Sequence, residues 1–107
     1  MTIYRQGDVL IMRAPAGTQQ GAEIPRDGGR VVLAYGEATG HAHAIDEAGA
    51  ALYTLPEAGE DLSRLLRLER PAVLRHQEHA EIHIPAGDWI VRRQREYSPE
   101  GERQVAD

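Results

Sequence analysis

Apolar residues fall along this chain in short bursts separated by Gly, Pro, Asp and Gln, and few windows repeat with the three-to-four-residue period of a helix face. The run from Ile3 to Arg13 is apolar and rich in strand formers, interrupted at Gly7-Asp8 as a turn or bulge would interrupt it. Residues 14–29, crowded with Gly, Pro, Gln and Asp, predict a loop with a turn at Arg26 to Gly29. Arg30 to Ala34 predicts a short strand, Tyr35 to Gly40 a turn, and "HAHAI" from His41 to Ile45 another strand. Asp46 to Gly49 then predicts a hairpin turn that returns Ala50 to Leu55 as the partner of that histidine strand.

Leu62 to Pro71 serves either period. Asp61 as an N-cap with Leu62, Leu65 and Leu66 suits one short helix, whereas Arg64, Leu66 and Leu68 alternate as a strand. Strands on both sides favour the second. Beyond Pro71, "AVLRH", "EIHI" and "WIVRRQREY" predict three more strands, the last and longest running from Trp89 to Tyr97. Turns at intervals near ten residues predict an all-β chain: one antiparallel domain over residues 1–97, a small barrel or sandwich, followed by a polar, loose tail over 98–107.

A chain of 107 residues suits one domain, because folding at this size buries roughly 60–65% of the extended surface. With no Phe, the core must be built from aliphatic side chains and a few amphipathic aromatics. The lack of Cys removes disulfides and thiolate metal sites. No long apolar segment and no basic leader appear, which predicts a cytoplasmic protein without a membrane partner. A net charge of −5 argues against nucleic acid as a general partner. Arg92, Arg93 and Arg95 nevertheless gather positive charge on the last strand, where an anion or a protein partner would find it. Open strand edges in so small a domain also allow a homo-oligomer.

The five histidines occupy only two segments, His41 and His43 in one, His76, His79 and His83 in the other. On a strand, His41 and His43 project from one face while Ala42 and Ala44 take the other. If the segments converge, His41, His43, His76 and His79 supply enough imidazole for a divalent metal, Zn, Mn, Fe or Ni, which the residue types do not distinguish. Such a metal would activate water toward a small substrate, with Glu78 as the nearest carboxylate base. If they do not converge, His41 and His43 are the polar face of a solvated strand. A paired-histidine acid and base acting on a phosphoester is a further option. A non-catalytic module that binds a protein or nucleic acid through Arg92, Arg93 and Arg95 belongs to a different class, and the residues leave open whether the chain is an enzyme.

The stretch "GEATGHAHAIDE" resembles the first cupin motif, with Gly36, His41, His43 and Glu47 at its marked positions, and "IPAGDWIV" resembles the turn of the second, with Pro85 and Gly87 in place. The resemblance runs from about Val31 to Val91 and implies a small β-barrel with a metal in its mouth, ligated by the two histidines and Glu47. Ile90 stands where the second motif carries its histidine. The segments "YRQGDVL", "GEATGHAH" and "RHQEHAEIHIPAGDWIVRRQREY" also resemble a group of short uncharacterised bacterial and phage proteins over nearly the whole chain, a likeness that implies no activity.

Overall fold

The computed structural model describes residues 2–36, 40–56, 63–98 and 101–104, with the side chains of 95–98 and 101–104 outside that description. Within it the protein is all-β and antiparallel, with no helix among the described residues. The strands are β1 (Ile3–Gln6), β2 (Val9–Arg13), β3 (Glu23–Ile24), β4 (Val31–Tyr35), β5 (Ala42–Ile45) and β6 (Ala50–Thr54). The second half adds β7 (Arg64–Leu68), β8 (Ala72–Leu74), β9 (Ile82–Ile84), β10 (Gly87–Arg93), β11 (Arg95–Ser98) and β12 (Gly101–Gln104).

Six strands form the main sheet in the order β1-β2-β10-β7-β6-β3. Its first hairpin closes over two residues, Gly7 and Asp8, between the paired Gln6 and Val9. Gly7 sits at φ 57°, a conformation glycine reaches without a Cβ clash. Alternation is clear where one face meets the core: Val9 and Ile11, Leu52, and Trp89 and Val91 are buried. The ambiguous segment is the strand β7, with Leu65, Leu66 and Leu68 all buried. Asp61 and Leu62, which would have capped and opened a helix there, lie outside the described residues.

Two smaller hairpins, β4-β5 and β8-β9, are joined by a bridge in which Ala44 and Arg75 exchange backbone hydrogen bonds of 3.0 and 2.9 Å. Val31, Leu33, Ile45, Leu74 and Ile84 from these hairpins share one hydrophobic cluster with Val9, Ile11, Leu52, Leu66, Trp89 and Val91 of the main sheet. The core therefore lies between the two groups of strands. The sheets do not close into a barrel.

The pairing departs from the sequence expectation at one important place. β5 does not pair with β6 across Asp46 to Gly49; it pairs with β4, while β6 pairs with β7 and β3. The turn carries the chain from one group of strands to the other, which lets Ile45 and Leu52 enter the shared cluster from different sheets. The long C-terminal strand is also split: the Gln94 amide turns to donate to Asp8 O at 2.7 Å, ending β10 before β11 begins. β11 pairs with β12, so residues 101–104 of the polar segment extend as a strand.

Candidate functional site: a buried histidine cluster

The two histidine segments meet. β5 carries His43 on a fully buried position, and the connection between β8 and β9 carries His76 and His79 beside it. Ring centres are 4.3 Å apart for His43 and His76, 4.5 Å for His76 and His79, and 5.8 Å for His43 and His79. His41 stands at the rim, its ring 5.5 Å from that of His76 and its Nδ1 3.4 Å from the exposed carboxylate of Glu78. His83 points away and is largely exposed. The Ala44–Arg75 bridge explains the convergence, because it locks the residue after His43 to the residue before His76.

Two residues not singled out by the sequence complete the cluster. Asp8 is fully buried, with Oδ1 3.8 Å from His43 Nε2 and Oδ2 accepting from Arg93 Nε and Nη2 at 2.9 and 2.7 Å. Gln6 is buried as well. Its Nε2 donates to the carbonyls of Leu74 and Ala80, both at 3.0 Å, so its Oε1 faces His43 Nδ1 at 2.9 Å as an acceptor. Nδ1 of His43 is then the protonated nitrogen, and in the neutral ring the lone pair belongs to Nε2, on the side of Asp8. Neither residue had a local signal: Gly7-Asp8 reads as turn chemistry and Gln6 as an ordinary strand residue.

His76 has the opposite polarity. Its Nδ1 accepts the Glu78 backbone N–H at 3.0 Å, so the neutral ring carries its proton on Nε2. Nε2 of His79 is buried and makes no hydrogen bond among the described residues. Among the described residues, no group of three or more His, Cys, Asp or Glu side chains is arranged to hold a metal ion. In that tautomer of His76 neither ring nitrogen has a lone pair free for a metal.

The arginines divide. Arg93 shares a strand face with Trp89 and Val91, which brings it inward onto Asp8, while Arg92 is exposed with Nε 3.5 Å from Ser63 Oγ. Arg95 lies on β11, and its side chain is outside the described residues. Arg64 donates to Leu33 O, and burial together with nearby Arg93 lowers its pKa. Glu47, the carboxylate of the cupin-like motif, is not in the cluster: its Oε2 accepts from the Val73 amide at 2.8 Å and ties the β5–β6 connection to β8.

These features define an all-β protein whose strands enclose a histidine, carboxylate and amide cluster. The chain belongs to the family described as a domain of unknown function, DUF8820, whose model matches residues 5–94. That span takes in both histidine segments, Gln6, Asp8 and Arg93. No curated protein and no solved structure matches the chain.

Proposed function

We propose that this protein binds one divalent transition-metal ion at the cluster, through His43 Nε2, His79 Nε2 and the Asp8 carboxylate, with His76 joining once its ring turns. The observation that carries the reading is the spacing of the three imidazoles. A ring bound to Zn²⁺ through one nitrogen at about 2.0–2.1 Å has its centre about 3.2 Å from the ion, so two rings at a tetrahedral angle lie about 5 Å apart. The separations of 4.3, 4.5 and 5.8 Å bracket that value.

The surroundings support the same reading. Gln6 holds Nδ1–H of His43 as an outer partner holds a ligand histidine, and Arg93 binds one carboxylate oxygen of Asp8 while the other lies 3.8 Å from His43 Nε2. Imidazole with carboxylate suits Zn, Mn, Fe or Ni. Glu78, at the rim on His41, would be the nearest carboxylate to a water bound on the outer side of the ion.

Elemental analysis of untagged protein, followed by calorimetric titration of chelator-stripped protein with Zn²⁺, Mn²⁺, Fe²⁺ and Ni²⁺, tests the proposal. One ion per chain is expected, lost in His79→Ala and retained in His83→Ala. Absence of saturable binding by any of the four ions, or equal binding by the two variants, overturns it.

A further inference from the structure

Beside the cluster, on the outer side of β5, lies a cavity of about 280 Å³. Ala42 and Ala44 of β5 line it together with Arg30, Asp46, Arg75, His76 and Gln77. The polar groups in these walls are mostly donors. Gln77 uses its Oε1 to accept the Ala42 amide at 2.9 Å, which leaves its NH₂ group as the part of the amide able to meet a ligand. Arg75 places Nη1 on Glu81 at 2.6 Å, and its Nε is 4.0 Å from the Asp46 carboxylate, so its fork is held in place at the wall. The half-buried Arg30 makes no side-chain hydrogen bond or ion pair among the described residues. Glu81 and Asp46 balance Arg75, so the positive charge that the lining offers a ligand is chiefly that of Arg30.

We propose that this cavity binds a small anionic molecule, its carboxylate or phosphate group received by Arg30 and Arg75, with the Gln77 amide completing the contact. Planar guanidinium forks match the paired oxygens of either group. The volume is on the scale of a short organic acid or a small phosphate ester. Asp46 faces the same space and would accept from a hydroxyl or amine on the ligand. His76 is common to the cavity wall and the histidine cluster, so a ligand seated here would lie against the cluster's outer side. The proposal stands on the cavity's own residues and needs no metal.

Chelator-stripped protein titrated with inorganic phosphate, and separately with succinate, at matched ionic strength with chloride as the control, tests it without involving the metal reading. Saturable binding of at least one anion is expected, with the tighter of the two identifying the group. Arg30→Gln and Arg75→Gln should each weaken binding by at least tenfold, and Arg30→Lys should retain part of it. Circular dichroism confirms that each variant is folded, and Arg30→Lys carries the test if a glutamine variant is not. If neither anion saturates, or if Arg30→Gln binds as wild type does, the proposal fails. A separate Zn²⁺ titration of anion-free protein reports on the histidine cluster alone.

Discussion

His43 donates from Nδ1 to Gln6 Oε1 at 2.9 Å, in a direction that Gln6 itself dictates, because its amide nitrogen is already committed to the carbonyls of Leu74 and Ala80. A strand residue from the first hairpin thus sets the tautomer of a histidine on β5 and ties both to the β8–β9 connection. Gln6→Ala removes three hydrogen bonds at once and leaves the buried Leu74 carbonyl without that donor. The expected loss is about 1–3 kcal/mol of stability, read from urea unfolding of chelator-stripped protein. If the cluster holds metal, the same variant should also bind it about 10–100-fold more weakly. Wild-type stability in Gln6→Ala would refute the orienting role.

Asp8 and Arg93 form the second structural tie. The carboxylate is fully buried and the guanidinium only one-quarter exposed, so removing either leaves a charge poorly solvated. Asp8→Ala should cost about 3 kcal/mol, toward the lower end for a buried pair because Arg93 can still reach water. The double variant Asp8→Ala/Arg93→Met should recover part of that loss. A cycle with no coupling between the two sites, measured by chemical denaturation, would contradict the geometry.

How much of this was legible in the sequence follows from which interactions are local. The alternation in Val9 to Ile11, Ala50 to Thr54 and Trp89 to Val91 follows from period two, so the all-β class and most strands could be read directly. Pairing could not: β5 and β6 are joined by a hairpin-like turn, yet each finds its partner elsewhere, because burying Ile45 and Leu52 from different sheets outweighs the local turn preference. Likewise His43 and His76 were recognisable as candidates, but their contact depends on the non-local bridge between Ala44 and Arg75. Asp8 and Gln6 carried no sign of burial at all, since a Gly-Asp pair is the ordinary chemistry of a turn.

The pH dependence of stability should include a contribution from Asp88 and Arg67. Arg67 reaches across to the neighbouring strand and bonds Asp88 through Nε and Nη2 at 3.0 and 3.1 Å. That hydrogen bonding holds the Asp88 carboxyl below its ordinary pKa despite some desolvation. A depressed carboxylate pKa means that the unfolded chain binds the proton first as pH falls. The stabilisation is therefore complete above the unfolded-state value of about 3.9 and disappears as pH drops through the folded one. Both side chains are about two-fifths exposed, so the contribution should stay below about 1 kcal/mol. Asp88→Asn should flatten the acid limb of the stability profile and leave stability near neutral pH lower by that same small amount. An unchanged acid limb would show that the pair contributes nothing.

His41 and His43 share a motif, yet His41 lies just before β5 and His43 within it, and their positions in the fold assign them different tasks. His43 is fully buried and hydrogen-bonded to Gln6, whereas His41 is partly exposed and meets only the rim, at Glu78 and His76. In chelator-stripped protein His43→Ala should destabilise the fold by about 2–4 kcal/mol, because it opens a cavity and leaves Gln6 Oε1 without its donor. His41→Ala should change stability by less than about 0.5 kcal/mol. Metal titration then separates structure from ligation: the metal-induced rise in melting temperature should vanish in His43→Ala and persist, reduced, in His41→Ala. His43→Gln, which keeps a polar group in the cavity, guards against the first variant failing to fold. Loss of the metal response in His41→Ala together with its retention in His43→Gln would place the ion at the outer histidine and overturn the ligand set built around His43, His79 and Asp8.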